Sequence, residues 1–186
     1  MHLGKVIQER KSVRKFSKKK PDWRDIIECI DVTRFAPMAG NNFSLKFIIV
    51  DDPKTIQKLA DASQQDFIAT APYVVIACTD STRTVNAYKE RGEMYCRQQA
   101  GAAIQNFLLR IEEKNLSTCW VGHFVDSLVK EALKIPAKIH VEALFPVGFD
   151  AENKKTRPLK IDLDNILYFH KYGNKRMTEP KNDMDV

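Results

Sequence analysis

Long apolar runs are missing from this 186-residue chain, and so is any paired-cysteine pattern. No apolar stretch approaches the roughly 18 residues that a membrane span needs, and no apolar signal region follows Met1. Nothing in the sequence therefore directs the chain out of the cytosol, so a cytoplasmic location with no membrane partner is expected. The four cysteines, Cys29, Cys78, Cys96 and Cys119, form no Cys-x-x-Cys pair and have no adjacent histidines. That argues against a zinc or iron–sulfur site and leaves free thiols. No Gly-x-Gly-x-x-Gly fingerprint follows a candidate strand, so a nicotinamide dinucleotide would be a transient substrate and not a tightly held cofactor. Internal repeats and low-complexity linkers are absent as well.

What is present is ordinary for a globular protein: 44% hydrophobic and 29% charged residues, enough for one domain with a sizeable core. Residues 1–172 are expected to form that domain, followed by a polar tail over 173–186. Thirty Lys and Arg against 24 Asp and Glu give a formal charge of +6, which favours an anionic partner. The charge is spread along the chain, with clusters at the N-terminus and in the basic link of residues 153–160.

The most informative stretch is Arg10-Lys11-Ser12-Val13-Arg14, at the end of a short amphipathic helix marked by Leu3, Val6 and Ile7. In an extended segment Arg10, Ser12 and Arg14 point to one side. Two planar guanidinium forks and a hydroxyl suit a phosphate, because arginine donates paired, charge-assisted hydrogen bonds to phosphoryl oxygens. The plainer alternative is a solvated basic turn continuing into Lys15, Lys18, Lys19 and Lys20.

Further along, Asp22 caps a helix carrying Trp23, Ile26, Ile27 and Ile30, which should stop near Phe35. A loop, Ala36-Pro37-Met38-Ala39-Gly40-Asn41-Asn42, precedes a buried strand over Leu45–Val50. Asp52-Pro53 opens a short helix with Ile56, Leu59 and Ala60. Tyr73–Thr79 is a second buried strand, and polar Asp80–Asn86 reads as a loop or mobile segment. The longest helix is expected over Tyr95–Lys114, apolar on nearly all faces and therefore central, with Gly101, Ala102 and Ala103 allowing close approach. Ser117–Gly122 reads as a third strand, and Asp126 as the cap of a helix through Leu133. Val141–Phe149 reads as a fourth strand interrupted by Pro146, and Ile166–Tyr172 as a short terminal helix.

Taken in order, these motifs resemble the nitroreductase family of FMN-dependent oxidoreductases over nearly the whole chain. Arg10–Phe16 is similar to its Arg-Ser-x-Arg-x-Phe start, and Ala36–Asn41 to its Ala-Pro-Ser-Ala-x-Asn loop. The small-residue helix ending in Gln105–Leu109, the stretch Leu116–Gly122, and Phe145-Pro146-Val147-Gly148-Phe149 follow in the family's order. The resemblance implies an α+β fold with a central, mostly antiparallel or mixed sheet flanked by helices, and a homodimer binding FMN at its interface. It also implies that the C-terminal segment, with Ile161, Leu163, Ile166 and Leu167, reaches across the partner chain.

By that resemblance the cofactor-binding set is Arg10, Lys11, Ser12, Arg14, Met38, Asn41, Trp120, Val121, Gly122, Lys155 and Arg157. The Arg10–Arg14 turn would hold the phosphate and ribityl tail, and Asn41 the pyrimidine edge. The Trp120–Gly122 turn would offer backbone groups near the reactive side of the ring, and Lys155 and Arg157 would approach the phosphate. Met38 stands where the family has serine, and Phe43-Ser44-Leu45 replaces Gln-Pro-Trp. Each residue also has a plainer reading: a left-handed turn for Asn41, core for Trp120, a solvated link for Lys155 and Arg157. His123 and His140 are read as structural or surface histidines. No catalytic side chain is expected, because the flavin itself would carry the hydride.

The expected function is hydride transfer from NADH or NADPH to an electron-poor acceptor such as a nitroaromatic, quinone or enone, in ping-pong turnover. The alternatives are reductive dehalogenation, flavin fragmentation, or a non-catalytic flavin- or nucleic-acid-binding protein. Against nucleic acid, the aromatic residues are not interleaved with the basic ones as a stacking platform requires.

Overall fold

The computed structural model describes residues 2–152 and 161–177. A compact body extends through residue 154, and a separate unit begins at residue 155. The body holds helices α1 (Leu3–Glu9), α2 (Trp23–Asp31), α3 (Pro53–Ser63), α4 (Thr82–Tyr88), α5 (Gly92–Glu113) and α6 (Asp126–Leu133). Its strands are β1 (Leu45–Val50), β2 (Tyr73–Thr79), β3 (Ser117–Thr118) and β4 (His140–Gly148). The described part of the second unit contains one short helical turn, Leu163–Asn165, in place of the helix expected over Ile166–Tyr172.

The four strands form one antiparallel sheet in the order β1-β2-β4-β3. Strand β2 lies inside it, and all seven of its residues are buried. Because side chains alternate across a strand, its two sets of residues serve two cores. Tyr73, Val75 and Ala77 pack with Ala103, Ile104, Phe107 and Ile111 of α5. Val74, Ile76 and Cys78 pack with Ile56 and Leu59 of α3 and Val129 of α6. Each fully buried Ile, Leu or Phe contributes about 1.5–3 kcal/mol relative to an exposed position.

Local chemistry sets the helix starts. The Asp22 carboxylate accepts the Arg24 amide at 2.9 Å. At α3, Asp52 accepts both the Thr55 amide at 2.8 Å and its hydroxyl at 2.7 Å, with Pro53 at the first helical position. Those bonds from Thr55 hold the Asp52 carboxyl below its usual range. Helix α6 differs from expectation: its N-cap is Val125, whose amide donates to the Ala62 carbonyl at 2.8 Å, and Asp126 is the first helical residue.

Two further expectations are corrected. Residues 82–88 form a helix, not a loop. Strand β4 also runs through Pro146 without interruption, pairing it with Val74. Leu144 exchanges both its backbone bonds with Val121. With a period of two, the nitrogen of Pro146 faces the same neighbour, opposite Cys119, between the Thr118↔Val147 and Val121↔Leu144 pairs, which keep one register. The missing donor removes one bond of the ladder there, and the pairing lapses for two residues before resuming at Val121. For the same reason the expected strand Ser117–Gly122 is cut to Ser117–Thr118 and one isolated bridge at Val121.

Candidate active site

The Arg10–Arg14 turn is built into the edge of this sheet. Arg10 ends α1, with its amide on the Val6 carbonyl at 3.0 Å and an extended backbone that turns the chain. Ser12 then pairs in parallel with Thr118, and the Val13 amide donates to the Thr118 carbonyl at 2.9 Å. Val13 and Phe16 are buried while Ser12 and Arg14 are exposed, so a hydrophobic anchor fixes which side the polar residues take. Arg10 is half-buried.

The charges of the turn divide into two groups. Lys11 lies 2.7 Å from Asp150, both largely buried, so its ammonium is already committed within the protein. Glu112 of α5 sits behind them: burial holds its carboxyl above the ordinary range, opposed by Lys11 and Arg10. Among the described residues neither Arg10 nor Arg14 forms an ion pair. Arg14 and the Ser12 hydroxyl instead border the buried Cys119 thiol. Burial pushes that thiol's pKa up, with the Arg14 charge and a Ser12 hydrogen bond opposing the shift.

Pairing with Thr118 carries the Trp120–Gly122 turn to the same place. Trp120 is 42% exposed, which overturns the core reading; its ring meets Phe145 edge-on, at 5.5 Å between ring centroids. Val121 gives both its amide and its carbonyl to Leu144, at 3.0 and 2.9 Å, so its backbone donor belongs to the sheet. Trp120 and Gly122 remain as the exposed members of the turn. The Thr118 hydroxyl is buried with no hydrogen-bond partner among the described residues. His123 is exposed, and His140 stands opposite Thr79 in the ladder between β2 and β4.

The second half of the candidate site is the Met38–Asn42 loop. Gly40 and Asn41 both take left-handed backbone, each with φ of 56°. A Cβ on Gly40 would lie 2.7 Å from the Tyr88 hydroxyl, the outer end of a partly exposed side chain, and the left-handed backbone is what favours glycine there. Met38 is half-buried and Asn41 exposed. A cavity of about 350 Å³ opens beside the loop, lined by Pro37, Met38, Ala39, Tyr95, Gln98, Gln99 and Ala102.

The structure brings the Arg10–Arg14 and Trp120–Gly122 turns together and leaves the Met38–Asn41 loop apart from them. The loop is bonded to α5 at Gln99, whereas Arg10 and Lys11 sit near Glu112, about 20 Å further along the helix. Lys155 and Arg157 lie outside the described residues. Sequence reasoning missed Gln99, the buried side chain that grips the loop. The signal for it was a long amide on the buried face of α5, between Cys96 and Ala103.

Comparison with known proteins places this architecture. The profile of the nitroreductase family matches residues 7–68 and 61–149. The chain belongs to the nitroreductase family. A putative nitroreductase of Methanocaldococcus jannaschii is 36% identical over 100 residues, 54% of this chain and 50% of that protein. An iodotyrosine deiodinase of Thermotoga neapolitana is 24% identical over 182 residues, 84% of this chain and 92% of that protein. Among solved structures, a nitroreductase family protein of Clostridium novyi superposes with a TM-score of 0.75 at 27% identity, covering 94% of this chain and 96% of its own. An FMN-dependent nitroreductase of Clostridium difficile shares the fold at a TM-score of 0.77 and 20% identity, with 90% and 98% covered. This nitroreductase-like fold, an antiparallel sheet with flanking helices, is the one expected from the motif order. No helix among the described residues is long and apolar enough to cross a membrane.

Proposed function

We propose that this nitroreductase family protein is an FMN-dependent oxidoreductase that passes hydride from NADH or NADPH to an electron-poor acceptor, a nitroaromatic, quinone or enone, in ping-pong turnover. The observation that carries the reading is the seam between Ser12 and Thr118. It sets two guanidiniums that form no ion pair among the described residues, a serine hydroxyl and a buried unpartnered threonine hydroxyl beside an exposed tryptophan. That donor set fits a phosphate ester attached to a flat ring system. The fold neighbour described as FMN-dependent supports the choice of ring.

When bound, FMN would supply the hydride chemistry. Arg10, Ser12 and Arg14 would hold its phosphate, while Lys11 neutralises Asp150 beside them. Trp120 would shield one side of the site from water, and Gly122 would offer a backbone group beside it. Asn41 would bind the polar edge of the ring. The described residues hold no cluster of His, Cys, Asp and Glu that could bind a metal, and neither histidine is assigned a proton-transfer role.

Two features support a homodimer with a shared site. The turn and the Asn41 loop are separated by much of α5, so one chain's turn would meet its partner's loop. The face of α5 around Gly101 is open, with nothing within 4 Å of where a Cβ would stand. The direct test is the absorption spectrum of purified protein. Yellow flavin bands, heat release of FMN near one per chain, and flavin-dependent oxidation of NADH or NADPH with a quinone are expected. A colourless protein that takes up no FMN, or one releasing FAD, refutes the proposal.

The deiodinase relative supports a second reading, reductive dehalogenation on the same site. Halide release from a halogenated phenol, faster than quinone reduction under the same conditions, would select it.

A further inference from the structure

Resting on the FMN reading, we infer that Gln99 is the positioning residue that presets the Asn41 turn for the flavin, with Ser44 as its support. Gln99 is 4% exposed and uses both ends of its amide. Its Oε1 accepts the Ala39 amide at 3.1 Å, on one shoulder of the turn. Its Nε2 donates to the Asn42 carbonyl at 3.2 Å, on the other shoulder, and to the Ser44 hydroxyl at 2.6 Å. Ser44 Oγ also accepts the Cys96 thiol at 3.4 Å, and the Ser44 carbonyl accepts the Asp80 amide at 2.9 Å. Every polar atom of the Gln99 side chain is thus spent on the backbone and base of one loop.

Between the two pinned shoulders stand Gly40 and Asn41, exposed and both left-handed. Two consecutive residues in that region are unfavourable for a free chain, Asn41 more than Gly40, so the turn persists only if its surroundings fix it. Gln99 does this from below and Tyr88 from the side, through its hydroxyl against Gly40. The exposed tip needs no ordering when a ligand arrives, and a preordered loop binds more tightly than one ordered on contact.

A primary amide is needed because the site demands one acceptor and two donors from one planar group. Gln99→Glu separates this role from general packing. Protonated, the new side chain still accepts from Ala39 and donates to one neighbour. Ionised, it can no longer donate to Asn42 or Ser44 and leaves a charge beside a carbonyl. Burial raises a carboxyl pKa above its usual value of about 4.3, so the change of state falls in an accessible pH range.

The test titrates FMN into flavin-free wild type, Gln99→Glu and Ser44→Ala across about pH 5 to 8.5. The ratio of variant to wild-type affinity removes the titration of the FMN phosphate itself. For Gln99→Glu that ratio should lie only several-fold below one at the acid end, where one of the two donor bonds is lost, and fall about a further tenfold or more as pH rises. Ser44→Ala should weaken binding several-fold with no such pH dependence. Circular dichroism on the same samples confirms folding; if Gln99→Glu does not fold, Ser44→Ala decides alone. Unchanged affinity in a folded variant at all pH values overturns the role of Gln99 while leaving the FMN reading intact. A wild-type chain that binds no FMN instead overturns the functional reading and this inference together.

Discussion

Gly92 lies against the backbone of Val85: a Cβ on Gly92 would stand 2.4 Å from the Val85 Cα and 2.8 Å from its amide nitrogen. The start of α5 and the body of α4 therefore touch with no side chain between them, and Ser81 ties the junction by donating to Glu93 at 2.7 Å. The obstruction is backbone, which cannot rotate aside as a side chain can. Gly92→Ala is expected to destabilise the protein by about 1–3 kcal/mol, read as a lower urea midpoint at unchanged slope. The same change should loosen Tyr88 over Gly40. An unaltered midpoint would show that α4 shifts freely on α5.

This contact also explains why α4 was illegible in the sequence. Thr82–Tyr88 offers no apolar stripe, and its helix is fixed by packing on residues outside its own window. Strands β1 and β2 were legible, to the residue, because each is mostly apolar, broken only by Lys46 in β1 and ending in Thr79 in β2, and is closed by Asp51-Asp52-Pro53 or opened after Ala71-Pro72. The order of motifs identified the family. Trp120 was misread because an aromatic residue on a strand is usually core, and whether its face of the sheet is covered depends on elements distant in sequence; here it stays 42% exposed. Gln99 was hidden because a sequence gives no sign that both ends of its amide find backbone.

The phosphate role of the first turn rests on Arg14, which forms no ion pair among the described residues. Arg14→Ala should weaken FMN binding about ten- to hundredfold, the worth of a hydrogen bond to a charged group. Activity should largely return at saturating FMN, because the substitution removes affinity and leaves the ring's surroundings intact. Equilibrium titration by flavin fluorescence measures the first effect and NADH oxidation the second. Unchanged affinity would mean that the turn is only a solvated basic surface.

Glu112 carries a pH dependence whose sign follows from its surroundings. Burial holds its carboxyl above the ordinary range, so the folded protein binds this proton more tightly than the unfolded chain. Stability from this group is complete below the unfolded value and is lost as pH rises through the folded one. Glu112→Gln should therefore be more stable than wild type at neutral pH, with the advantage vanishing on acidification below the ordinary glutamate range. Thermal unfolding of both flavin-free proteins across pH checks it. A variant less stable than wild type at neutral pH would show that the ionised carboxylate is a net partner of Lys11 and Arg10.

Gly101 decides between a free and a covered α5. In the protomer nothing lies within 4 Å of its Cβ position, and Ala102 beside it is half-buried. If that face meets only water, Gly101→Leu gains helix propensity of roughly 0.8 kcal/mol and should raise the melting temperature. If the face packs against a second chain, as the shared-site dimer requires, the added side chain has no room between two closely approaching helices. Sedimentation should then show dissociation, and FMN should be released in proportion, because each half of the site lies on a different chain. Flavin content measured on the same fractions links the two losses. A Gly101→Leu protein that is more stable, unchanged in mass and still yellow would rule out α5 as the dimer contact, and the division of the site between two chains would go with it.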